Sequence, residues 1–252
     1  MSFATEAELV AAFVAKVQSY YSRDCPWTPY AETAGFDLLL QHRDGYQLGI
    51  EAKLSLNAKV IEQAIEGGHC FHHHDVGPDY RGVLVPAGKV QHHLGKICKA
   101  LGVGIIAFRP DGNGTYYGLS LPCEDLGWEE WPNWCPTERC PLPDYVPDVT
   151  GGHKSPVRLT PWKIKAIKLL ILLERRGYVT RRDMKALQIS PSLWTDPYVG
   201  YLHRDEANRR YVKGTRTPDL KRQHPDNWEQ IEADFDKWGA ALPEPATQAA
   251  LL

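Results

Sequence analysis

The 252-residue chain has no run of 18 apolar residues, so no membrane-spanning helix is expected. No basic segment followed by an apolar core opens it, because Met1 leads into Ser-Phe-Ala-Thr-Glu-Ala-Glu, and a secretory signal is not expected either. Its six cysteines are scattered over a chain too long to need a disulfide framework, which makes reduced thiols in a cytoplasm the default. Nor is either charge in excess, with 29 Lys and Arg against 31 Asp and Glu. That balance hides a segregation. Residues 1–150 carry 11 basic against 19 acidic side chains, residues 151–225 carry 17 against 6, and residues 226–252 carry 1 against 6. A compact block at +11 points to a nucleic-acid surface. The bland alternative is a solvated helix face.

The most informative stretch is Gly35–Lys53. Asp44-Gly45 between two apolar-rich runs is a hairpin signal. In the second run Tyr46, Leu48, Ile50 and Ala52 share one face, and Gln47, Gly49, Glu51 and Lys53 share the other, the period of a half-buried strand. On the partner strand Asp37 lies between Phe36 and Leu38 and points away from them. Carboxylates on adjacent strands are hard oxygen ligands for Mg²⁺, with Mn²⁺ as a substitute, and the ion usually takes one or two of them plus waters and a substrate phosphate. Lys53 can hold or deprotonate an attacking water and offset charge on the phosphate. Read singly, Glu51 and Lys53 are also compatible with a surface ion pair, and Asp37 with a strand-edge turn.

Asp37, thirteen intervening residues, then Glu51-Ala52-Lys53 resembles the D…(D/E)-x-K signature of the PD-(D/E)xK nuclease superfamily. The proline of that name is absent, since Gly35-Phe36 precedes Asp37. The resemblance covers about residues 1–110. It implies a Mg²⁺-dependent phosphodiester hydrolase in which Asp37 and Glu51 bind metal and Lys53 serves the attacking water. It also implies an acidic residue from a helix before the hairpin, for which Glu8 is the nearest candidate, although capping explains a first-turn Glu more simply. Glu32 is a possible extra metal ligand. Gln63, ten residues after Lys53, matches a Gln often found there, touching substrate backbone or orienting water; an ordinary exposed helical Gln is the alternative.

The remaining elements follow from caps and periodicity. Thr5 with Glu8 reads as a capping box for a helix over about 6–21, and Asn57 caps a helix bearing Val60, Ile61, Ala64 and Ile65. The segment 22–34, with two prolines, reads as a loop with a short strand. His69-Cys70-Phe71-His72-His73-His74 after Gly67-Gly68 reads as a loop or frayed helix near the cleft rather than a zinc site, because adjacent histidines cannot all face one ion. Buried strands are expected at 81–86 and 102–108, a helix at 89–101 and an edge strand at 115–121. Residues 122–158, rich in Pro and holding Trp128, Trp131 and Trp134, read as an ordered linker that could receive a protein partner or a second copy. Cys123, Cys135 and Cys140 with His153 are a minority candidate for zinc.

From Leu159 the period is helical: Thr160-Pro161 opens one helix, Arg181–Leu187 forms a second, and Pro191–Leu202 a third. A basic hairpin follows around Arg209-Arg210-Tyr211. Three helices and a hairpin resemble a winged helix-turn-helix, with Arg181, Arg182, Lys185, Arg209, Arg210 and Lys213 as DNA contacts. The expected fold class is α/β, a restriction-endonuclease-like mixed sheet flanked by helices, with a smaller, mostly helical winged-helix-like domain. The expected boundaries are 1–121, 122–158, 159–240 and a disordered tail 241–252. The expected function is Mg-dependent DNA cleavage in the cytoplasm; the alternative is a non-catalytic DNA-binding or partner-binding protein on a degenerate nuclease scaffold.

Overall fold

The structure, a computed structural model, describes residues 3–21, 24–66, 76–109, 121–122, 131–148, 159–207, 209–240 and 242–243. The chain divides into two compact units, 1–158 and 159–252, each of which is described by itself. Among the described residues no helix is long and apolar enough to cross a membrane.

Unit 1 is built on a five-stranded mixed sheet. Helix α1 (Glu6–Tyr20) begins at Thr5, whose side chain accepts the Glu8 N–H, while the Glu8 carboxylate accepts the Ala4 N–H at 2.8 Å. Strands β1 (Trp27–Thr33), β2 (Phe36–His42) and β3 (Gln47–Ala52) form an antiparallel meander. Its second turn is the expected one, with Gly45 at φ +93° and its N–H bonded to the His42 carbonyl. Beyond the meander the pairing changes sense. Strand β4 (Val76–Gly77) is a two-residue piece, whereas β5 (Tyr80–Pro86) lies parallel to β3, and β6 (Gly104–Phe108) parallel to β5, giving the order β1-β2-β3-β5-β6. Parallel neighbours need crossovers, supplied here by α2 (Ala58–Glu66) and α3 (His92–Ala100).

The sheet buries both faces. Leu9, Val10, Phe13 and Val17 of α1 pack with Leu38, Leu40, Leu48, Ile50 and Leu84 on one side. Val60, Ile61 and Ala64 of α2 and Cys98 of α3 pack with Val83 and Val85 on the other. All six residues of β3 are therefore buried, which corrects the half-buried strand expected from its alternation. The reason is local: the Phe36 ring covers Gly49, where a Cβ would lie 2.6 Å from it, and Gln47 is engaged by Cys140.

Residues 131–148, read from sequence as a connection, belong to unit 1 and lace the starting ends of the parallel strands. Strand β7 (Glu138–Arg139) pairs with β4. Arg139 grips the buried carboxylate of Asp79 through two bonds of 2.8 and 3.0 Å, and Asp79 also accepts the Gln47 N–H. Gln47 exchanges hydrogen bonds with both backbone groups of Cys140. Trp131 lies in a trough made by Gly82 and Gly104, and Trp134 donates to the Gly102 carbonyl.

Unit 2 begins with α4 (Pro161–Arg176), capped by Thr160 and ended by Gly177 at φ +74°. Helix α5 (Arg181–Ala186) opens with a Thr180/Asp183 capping box. Helix α6 spans only Ser192–Thr195, a correction to the long third helix expected. Asp196 precedes Pro197 and is extended at ψ 130°, the conformation a following proline imposes, so the helix stops after one turn. Strands β8 (Leu202–Asp205) and β9 (Arg210–Lys213) form the expected hairpin, joined by a bridge from Val179 to Tyr211. Three helices then close the core: α7 (Leu220–Gln223), α8 (Pro225–Ala233) and α9 (Phe235–Gly239). Trp228 and Ile231 of α8 are buried.

The histidine run 69–74, the strand expected over 115–120, Cys123, Trp128 and His153, and the tail apart from 242–243, lie outside the described residues.

Candidate metal centre and nucleic-acid surface

Segments far apart in sequence meet at the C-terminal end of β3. The β2–β3 register pairs Leu38 with Ile50, so one step further sets Asp37 opposite Glu51, and strand alternation turns both side chains to one face. The Asp37 carboxylate accepts the Ala52 N–H at 2.8 Å, and its charge acts on the buried Glu51 carboxyl across the strand pair.

Glu51 is buried beside Asp37. It is 4 % exposed, and burial is the largest influence lifting its pKa, to about 8. The Asp37 charge lifts it further, Lys53 opposes the rise, and the charge of Glu32 adds to it. The Asp37 pKa is also raised, chiefly by burial, against the pull of the Ala52 N–H and Lys53. Both carboxyls therefore hold a proton more readily than a solvated carboxyl does.

Lys53 follows directly after β3 and bonds Glu6 of α1 at 2.8 Å. Burial works against its charge, but the Glu6 bond and the nearby Asp37, Glu6 and Glu51 charges outweigh it, and its pKa is raised. Lys53 is accordingly an ammonium held in place, not a ready proton acceptor.

The structure thus brings Asp37, Glu51 and Lys53 together, with Glu32 close enough to act on Glu51 through its charge. Helix α1 contributes Glu6 and not Glu8, whose carboxylate is spent on the cap. No sequence signal separated Glu6 from Glu8, since both are acids in the first turn of α1. Gln63 sits on α2 with its Oε1 buried and without a hydrogen-bond partner, and among the described residues no hydrogen bond joins it to the carboxyls.

Among the described residues no three His, Cys, Asp or Glu side chains converge as a metal cage. A hard divalent ion that keeps its waters needs only one or two carboxylates, and the Asp37–Glu51 donor set fits that requirement. Of the cysteine candidates, Cys140 is buried with Phe36 and Leu39 while Cys135 is exposed.

No family model, curated protein or solved structure matches the chain.

In unit 2, Arg182, Lys185, Arg209 and Lys213 are exposed. Arg181 donates to the Tyr211 hydroxyl at 3.1 Å, and Arg210 is tied down by Asp205 at 2.9 Å and stacks over Tyr178. Of the six predicted cations all but Arg210 are exposed, Arg181 included although it also bonds the hairpin.

Proposed function

We propose that this chain is a Mg²⁺-dependent DNA endonuclease whose first unit hydrolyses the phosphodiester and whose second supplies affinity for the backbone. The observation that carries this reading is that Asp37 and Glu51 face each other across β2 and β3, beside the lysine that follows β3 and is held by Glu6. The order α1-β1-β2-β3-α2-β5, with an antiparallel meander and a parallel crossover, supports a PD-(D/E)xK arrangement for unit 1. The series α4, α5, α6 and the β8–β9 hairpin, with its bridge to Val179, supports a winged-helix reading of unit 2.

Asp37 and Glu51 would hold the ion, which when bound polarises a phosphate oxygen and acidifies a water. Glu51 must first release its proton. The ammonium of Lys53 then orients the incoming water and faces the charge that grows on the phosphate oxygens. Glu6 fixes the position of that ammonium and keeps it protonated. Because unit 1 is acidic, affinity for a polyanion must come from elsewhere, and the basic residues of unit 2 are suited to phosphate contacts.

The test is incubation with linear, circular, branched and single-stranded DNA in Mg²⁺, in Mn²⁺ and in chelator. Cleavage should need the metal, and Lys53→Ala should abolish it while leaving retention on DNA unchanged. Retention without cleavage of any substrate would overturn the enzymatic reading in favour of a DNA-binding protein on the same scaffold.

A further inference from the structure

The segment around α6 does not look like a helix built to contact phosphates. Between Met184 and Arg204 its exposed side chains include three large apolar ones, Leu193, Tyr198 and Val199, and Tyr198 is 88 % exposed. Beneath them runs a line of rings. Trp162 of α4, itself 42 % exposed, lies 6.1 Å from the buried Trp194 ring, which meets Tyr201 edge-on at 5.2 Å. The turn that presents Tyr198 is fixed by Asp196, whose Oδ1 accepts the N–H groups of Tyr198 and Val199 at 2.8 and 2.9 Å. Asp196 is the one acidic residue between Met184 and Arg204, and its carboxylate is turned into those amides.

Cations lie on α4 and α5 of the same unit. Lys165 shares a face of α4 with Trp162, three residues on, and its ammonium reaches Gln188 at 3.0 Å. Gln188 in turn follows Lys185 and Arg182 of α5 and bonds back to the Lys185 carbonyl. Exposed rings bordered by lysine and arginine, in a segment with 17 basic against 6 acidic residues, form a surface complementary to a polyanion that can offer flat faces.

We propose that unit 2 carries a stacking site for single-stranded nucleic acid, in which an unpaired base lies on Tyr198 and the strand continues toward Trp162, its phosphates met by Lys165, Lys185 and Arg182. A paired duplex keeps its base faces inside the stack and cannot use Tyr198 in this way. The site rests on the nucleic-acid reading of unit 2 and not on the carboxyl pair of unit 1.

The experiment uses the full chain in chelator, so that no cleavage intrudes, and a fluorescent oligothymidine strand longer than a single-module site of about 4–16 nucleotides. Wild-type protein should bind the strand, and Tyr198→Ser should weaken that binding by about 5- to 100-fold, the range for removing one stacking ring. Tyr198→Phe, which keeps the ring, should bind like wild type. Affinity for a duplex of equal length should be the same in all three, whereas Arg182→Ala with Lys185→Ala should weaken both ligands. Strand binding unaffected by Tyr198→Ser, or equal losses for strand and duplex, would overturn the proposal. So would a wild-type protein that ignores the strand, a result that leaves metal-dependent cleavage by unit 1 to be judged on its own assay.

Discussion

Replacing Glu51 with glutamine separates the burial of its carboxyl from its charge. Glutamine keeps the size and hydrogen-bonding capacity of protonated Glu51 but cannot ionise. In the wild-type protein burial and Asp37 move this carboxyl from 4.5 to about 8. Between those two values the folded state binds more protons than the unfolded chain, so stability falls as pH rises and levels off above about 8. At about 1.4 kcal/mol for each pH unit the ceiling is roughly 5 kcal/mol, and the mutual influence of Asp37 and Glu51 brings the expected loss nearer to about 2 kcal/mol. The measurement is the urea midpoint of the β2 and β3 amides, followed by hydrogen exchange at about pH 5 and about pH 9. Wild type should lose stability between these conditions, and Glu51→Gln should lose clearly less. At the higher pH, Mg²⁺ should restore the wild-type midpoint by binding the ionised pair, with little effect on the variant. Parallel pH profiles for the two proteins would refute the raised Glu51 carboxyl, and with it the account of why metal and proton compete.

Three further outcomes follow from the same geometry. Metal affinity measured by Mn²⁺ titration should rise as pH increases toward about 8, by close to tenfold for each pH unit if one proton is released. A flat profile would show Glu51 already ionised. Glu6→Gln should lower cleavage by about tenfold through misplacement of Lys53, while leaving metal affinity nearly unchanged; loss of the metal as well would make Glu6 a ligand. Trp131→Ala should cost unit 1 about 3 kcal/mol in denaturant stability, the low end for a large ring because Trp131 is partly exposed, since its ring is what packs over Gly82 and Gly104, and a neutral result would show that the trough collapses without it.

The hairpin, the α1 cap and the Asp37–Glu51–Lys53 constellation were legible because each is written within a few residues, in a period of two or a cap at fixed offset. Glu6 was passed over because Glu8, two positions on, offered a complete local explanation as the capping residue; only the fold shows which acid faces Lys53. The lacing of unit 1 left no local trace, since Gln47, Asp79, Arg139 and Cys140 are joined across 32, 60 and 93 positions of chain. In unit 2 the apolar spacing from Pro191 onward suggested a long helix, but the proline after Asp196 outweighs it. The burial of Glu51 was hidden for a different reason: alternation describes which side a residue faces, not whether that side is wet.

The placement of residues 131–148 dictates where this protein can be divided. A fragment ending near residue 121 would strip Arg139 from Asp79, leaving a lone anion in the interior, and would uncover the glycine-floored trough where Trp131 belongs. Such a fragment should express as an aggregating or molten species, so inactivity in it would say nothing about the carboxyl pair. Ending at residue 158 retains the whole strap, and that is the cut for asking what the first unit does alone.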